Sequence, residues 1–279
     1  MNETASRKRK QNGTLRDRLT ARGIIAFVLF LTLVFSVIFS LIRFIIAPDA
    51  IPEGQPYEKV KSDYLLMLTQ CFLGLVVMML PTIITHKLRL MVPNAMCILY
   101  YVFLYCAIFL GEIFSFYYLI AHWDLYLHAM SGAMLGALGF ILVDWLNKDE
   151  HVRLSMSPIF VSLFAFSFAL AVGALWEIYE FSFDRILGLN MQKFRNEDGT
   201  LLVGANALRD TMEDIIIDAI AAASVAALGL MTNIKRKNKK QTSSVLGPDE
   251  SGIAQKQNDG ISQSDTDDST SLSEDLTLE

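Results

Sequence analysis

Charge is scarce in this chain. Of its 279 residues only 19% are Asp, Glu, Lys or Arg, against about 25% in an ordinary soluble domain. Hydrophobic residues reach 53% and the mean hydropathy is +0.38, which leaves too little polar surface for a water-facing enzyme and too much apolar side chain for a disordered polymer. Cysteine is scarce as well. Cys71, Cys97 and Cys106 fall inside apolar runs without C-x-x-C spacing, which excludes a disulfide scaffold and a zinc ribbon; single buried thiols behave as small hydrophobes. No G-x-S-x-G, H-E-x-x-H, Walker or dinucleotide-binding glycine pattern occurs, so the usual hydrolase, zinc-protease and nucleotide-binding classes find no support.

What is present is a set of long apolar runs. A membrane span needs about 20 mostly apolar residues, and six runs qualify, at about 24–46, 64–84, 94–118, 124–146, 157–181 and 208–232. The first is too long for the apolar core of a cleaved signal peptide, about 7–15 residues, and so reads as a span. Pro81 and Pro93 are expected to mark the connection between the second and third spans. Pro158 falls in the first turn of the fifth, where a missing N–H costs little. The expected fold is an all-α, six-span bundle (residues 23–234), preceded by a basic segment (1–22) and followed by a basic block and a disordered acidic tail (235–279).

Charge placement gives the expected direction. Segments that share a side with the N-terminus carry 16 Lys and Arg, including Arg7–Lys10, Lys148, Arg153 and the block Lys235–Lys240; the other side carries five, among them Lys59, Arg185 and Lys193. By the positive-inside rule both termini are expected on the cytoplasmic side of a cell membrane. Basic blocks beside spans serve topology and anionic lipid before nucleic acid, so membrane lipids are the expected partners and nucleic acid is not.

Ionisable groups inside spans are costly and mark function. Here they converge on one level: Glu112 late in the third span, Asp124 and His128 opening the fourth, Glu177, Glu180 and Asp184 late in the fifth, and Asp210, Asp214 and Asp218 opening the sixth. With alternating span directions, all fall in the outer half of the bilayer. Asp124/His128 and Asp210/Asp214/Asp218 are each spaced by four, so each set shares a helix face. The same faces continue as small residues: Gly132, Gly136 and Gly139; Gly173 and Ala169; Ala222, Ala226 and Gly229. Small residues let membrane helices approach closely, so the acids should point into the same interior. Glu213 points off that face. His86 and His151 are expected to be solvated and His122 to sit at the interface.

So many carboxylates around one imidazole cannot all stay ionised in a sheltered hollow, and the remedies are protonation, pairing with Arg or a bound cation. The nearby positive residues are chiefly Arg185 and Arg209. Asp124, His128, Glu177, Glu180, Asp210 and Asp214 form the expected ligand set for a divalent cation: oxygen donors suit Mg²⁺, Mn²⁺ or Ca²⁺, and the imidazole admits zinc or iron. Asp124, His128 and Glu177 are the candidate catalytic groups, supported by Asp218, Arg209, Glu112 and Asp184. The segment Ile186–Leu208, with a turn at Asn196–Gly199, is long enough to cover the hollow as a lid and equally reads as a solvated loop.

Three motifs in order, Trp123-Asp124-x3-His128-x2-Ser131-Gly132, Trp176-Glu177-x2-Glu180 and Asp210-Thr211-x2-Asp214-x3-Asp218, resemble the YjdF-like family of bacterial inner-membrane proteins and, more distantly, VanZ-like proteins. The Gln-Gly-Asp that often precedes the last acidic helix in the YjdF-like family is replaced here by Gly204–Asp210. The VanZ-like resemblance implies a link to glycopeptide-antibiotic resistance, and so to envelope or lipid-linked substrates. Three readings stand: a cation-dependent envelope enzyme acting on a lipid-linked group, a transporter or binding protein for a cation or proton-coupled solute, and an adaptor whose acids only join helices.

Overall fold

A computed structural model describes residues 3–52, 58–87, 89–147, 156–196 and 198–245, with backbone only for 3–20 and 239–245. Lys148, His151, Arg153, Glu197, the tail beyond Val245 and the side chains of Arg7–Arg18, Lys239 and Lys240 lie outside the described residues. Two compact units meet in sequence at Leu228 and Gly229, within the last helix, and the acidic residues singled out above all lie in the first.

The fold is all-helical. In chain order the helices are α1 (Glu3–Ile46), α2 (Lys61–Val77), α3 (Leu80–Lys87), α4 (Asn94–Leu104), a π-helical continuation (Tyr105–Ile113), α5 (Phe116–Leu119), α6 (Trp123–Leu146), α7 (Pro158–Leu187) and α8 (Ala205–Val245). Among the described residues, six helical stretches are long and apolar enough to cross a membrane: Ala21–Ile46, Lys61–Lys87, Asn94–Ile113, Trp123–Leu146, Pro158–Leu187 and Ala205–Asn238. This is a multi-pass membrane protein.

Local chemistry explains the ends. At α2 the Asp63 carboxylate accepts the Val60 backbone N–H at 2.9 Å. At α7 the Ser157 hydroxyl accepts the Phe160 N–H at 3.2 Å, with Pro158 next to it in the first turn, an arrangement that satisfies one of the free donors of a helix start. Gly188, at φ +67°, ends α7 with its N–H on the Asp184 carbonyl, a left-handed position suited to glycine.

Three boundaries differ from the sequence expectation. Pro81 does not end the second span; lacking an N–H, it breaks the hydrogen-bond ladder between α2 and α3, and the helix then resumes to Lys87. The third span stops at Ile113 instead of continuing to about 118. Its last turns are widened, with the Phe114 N–H reaching back five residues to Phe109, and Ser115 at φ +59° turns the chain into α5. The fifth span also runs two turns past 181, so Glu177, Glu180 and Asp184 all ride on regular helix.

The packing falls into two halves. α1, α2 and α4 close on large side chains: Leu29, Leu33, Cys71, Cys97, Tyr101, Leu104 and Ile108 form one buried cluster. α6, α7 and α8 close on small ones. A methyl added at Gly139 would lie 2.7 Å from the Ala165 Cα, and one at Gly136 would lie 3.4 Å from Val225 and 3.7 Å from the Ala222 Cα. The helix backbones come close there because glycine and alanine occupy most of the contact.

Candidate metal centre

The same close approach assembles the acids. Gly132 of α6 and Gly173 of α7 both pack on Asp218 of α8: a methyl at Gly132 would lie 2.9 Å from the Asp218 carbonyl, and one at Gly173 would lie 2.4 Å from Asp218 Oδ2. The glycines thus supply the space in which a carboxylate sits between three helices.

His128 is the hub. Its Nδ1 lies 3.3 Å from Asp218 Oδ2. Its Nε2 faces three more carboxylates: Asp124 Oδ1 at 3.9 Å, Glu177 Oε1 at 3.9 Å and Asp214 Oδ2 at 3.8 Å. Ser131 donates to the His128 carbonyl at 2.9 Å and reaches Asp218 Oδ1 at 3.3 Å. Asp124, His128 and Asp214 each offer a ligand atom within 4.8 Å of the others, a group able to coordinate a metal ion. Glu177 is 4% exposed and Asp214 1%. Among the described residues, both Glu177 oxygens and Asp214 Oδ2 are buried without a hydrogen-bond partner. Buried polar atoms are satisfied in the great majority of cases, so this concentration of orphaned oxygens around one imidazole calls for a donor or a cation.

One cation comes from the chain itself. Lys193, in the connection between α7 and α8, pairs with Asp124 and lies 3.4 Å from Asp210 Oδ1. Its ammonium also stands 5.0 Å from the centre of the Tyr117 ring. Burial alone would lower the Lys193 pKa, but the charges of Asp124 and Asp210 outweigh it and hold the group above its ordinary range, so the lysine is a standing positive charge. Burial, reinforced by Asp124 and Glu112, pushes the Tyr117 phenol well up, and that side chain stays a neutral donor.

The loop that carries Lys193 is built. Asp184, the last acid of α7, accepts the Met191 N–H at 2.8 Å and the Gln192 N–H at 3.0 Å. The Asn190 side chain exchanges two hydrogen bonds with the Arg195 backbone, and Gln192 donates to Thr211 of α8 at 2.8 Å. Past it, Arg195 and Leu201 form a short antiparallel bridge, whose turn is held by the Asp198 carboxylate accepting from Thr200; those hydrogen bonds keep the Asp198 pKa below its usual value.

The sequence candidates therefore separate. Asp124, His128, Glu177, Asp214 and Asp218 meet directly, and Asp210 joins through Lys193. Glu112 and Glu180 line an adjoining cavity of about 570 Å³, which Asp124, His128, Asp218 and Lys193 also border. Asp184 fixes the loop instead of facing the cluster. Arg209 pairs with Glu213 at 2.6 Å on an exposed surface, and the exposed Arg185 lies over the Phe181 ring; neither neutralises the acids. Lys193 takes that part. Sequence reasoning counted it only as a loop charge, and the available signal was the length of a connector holding a lysine.

The chain belongs to the family described as Predicted membrane protein (DUF2238), which matches residues 57–235. No curated protein matches it, and no solved structure does.

Proposed function

We propose that the protein is a cation-dependent envelope enzyme acting on a phosphate or similar group of a lipid-linked substrate. The observation that carries this reading is the arrangement around His128: Asp218 on Nδ1 and three carboxylates around Nε2, two of which have orphaned buried oxygens. A histidine metal ligand usually gives its second ring N–H to a carboxylate, which fixes the tautomer and turns the other nitrogen to the ion. With the proton on Nδ1, Asp218 plays that part, and Asp124, His128 and Asp214 would hold the cation, with Glu177, Glu180 and Asp210 completing the acidic shell. A divalent cation supplies Lewis acidity and an activated water when bound.

The chain's own groups do the rest. Glu177, buried without a hydrogen-bond partner and 3.9 Å from His128 Nε2, is placed to take up a proton beside the cluster. Lys193 offers a positive charge to an anionic group arriving through the cavity, and the loop anchored by Asp184 keeps it there. Asp124 and His128 border the cavity whereas Asp214 does not, so the open side of the ligand group faces a route for substrate. The excess of Lys and Arg on the N-terminal side supports cytoplasmic termini and an outer-leaflet position for the centre. The three acidic motifs support a YjdF-like assignment within the family, and the VanZ-like resemblance favours envelope lipids. The basic segment 1–22 and block 235–240 suit anionic lipid.

A second reading has one observation in its favour. Lys193 already neutralises Asp124 and Asp210, as an adaptor that only joins helices would require. Titrating Mg²⁺, Mn²⁺ and Zn²⁺ into the purified protein while following its melting temperature separates the two. The enzyme reading expects stabilisation in the wild type and in Lys193→Met, and none in Asp214→Asn. The adaptor reading expects no response to any ion and a marked loss of stability in Lys193→Met.

A further inference from the structure

The cavity beside the centre is elongated and two-natured. On α6 its wall runs from Asp124 to Leu138, about 21 Å at 1.5 Å per residue, whereas a sphere of its volume would be only about 10 Å across. Polar groups gather at one end: Glu112, Asp124, His128, Glu180 and Lys193. The remaining wall is mostly apolar, with Gln70 and Tyr100 among its polar members, and comes from both packing halves, with Val77 and Ile84 from the second span, Met96 and Phe103 from α4, Leu138 from α6 and Val172 from α7. Ligand sites are typically apolar clefts of about 300–1,000 Å³ with a few convergent polar groups, and this one places its polar groups at the end of a long apolar channel.

We infer that the cavity seats one hydrocarbon chain of a phosphate-bearing lipid, with the chain along the apolar wall and the head at Lys193 and the Asp124/His128/Asp214 group. The head placement rests on the cation-dependent reading above; the chain placement does not. A neutral head would leave Lys193 unused. An amine head would meet Lys193 as a like charge and would compete with a cation for the carboxylates, so a phosphate is the head that uses both.

Native mass spectrometry of the full chain in lipid nanodiscs tests this, with hexadecyl phosphate as probe and hexadecylamine and inorganic phosphate as comparison arms. The wild type is expected to retain one hexadecyl phosphate and neither comparison compound. Leu138→Trp and Val172→Phe, which fill the channel from two different helices, are expected to lower that retention by at least about tenfold. Phe35→Trp, on an exposed face of α1, is expected to leave it unchanged. Asp214→Asn is expected to lose cation-induced stabilisation yet keep the chain, so a failed metal centre and a failed chain site give different patterns. Equal retention in the wild type and both channel variants, or preference for the amine, overturns the inference.

Discussion

The two halves of the bundle solve the same packing problem with opposite materials. α1, α2 and α4 interlock through leucines and aromatic rings, and the polar contacts between them include Arg43 donating to the Tyr64 hydroxyl at 2.8 and 3.0 Å, Tyr100 to the Val77 carbonyl at 2.8 Å and Arg22 to Asn94 at 3.4 Å. α6, α7 and α8 instead bury Gly132, Gly136, Gly139, Ala165, Ala169, Gly173, Ala222 and Ala226. Beside them these helices bury His128, Glu177, Asp184, Asp214 and Asp218, with Leu127 and Val143 as large apolar exceptions. Large residues hold helices apart and fill the gap with dispersion contacts. Small residues bring backbones together, and the carboxylates then occupy the few spaces that remain. Close packing in the second half is therefore what creates the polar cluster, and the first half supplies much of the apolar wall beside it.

The most damaging change to that contrast is Gly139→Leu. The obstacle is the Ala165 backbone, which cannot rotate away, so the variant should lose about 3 kcal/mol or fail to fold; thermal unfolding in detergent reads this. Leu33→Ala, in the other half, should cost about 2 kcal/mol by the same assay, the low end for such truncations, since lipid replaces water as the alternative environment and only packing is lost. A larger penalty for Leu33→Ala than for Gly139→Leu would break the contrast. Asp218→Asn should leave the metal-free melting temperature close to that of the wild type but weaken cation affinity about tenfold, as for other outer-shell partners of a ligating histidine, read by competition with a metal indicator dye.

Much of this was legible in the sequence because membrane spans and helix faces are local patterns. Six apolar runs gave six spanning helices. Spacing by four put His128 on the face of Gly132, and Asp214 on the face of Asp218; the small-residue stripes pointed to contacts that Gly132, Gly139 and Gly173 make. Other features had no local pattern. Lys193 reaches the acids because Asp184 holds two loop amides and Asn190 closes the turn, contacts that depend on where α7 ends and α8 begins. The widened turns at Tyr105–Ile113 include Gly111, which packs so closely on Tyr117 that a methyl would come within 2.5 Å of the ring, and no residue spacing announces that. Arg209 is one of the two positive residues the sequence offers near the acids; one residue of rotation from Asp210 turns it outward to Glu213.

The decisive measurement is the metal-to-protein ratio of the full chain, purified from cells without chelator and read by elemental mass spectrometry beside Asp214→Asn. The account predicts close to one divalent ion per wild-type chain and a near-empty variant that still folds. Metal absent from the wild type, or equal in the two proteins, would contradict a centre built on Asp124, His128 and Asp214.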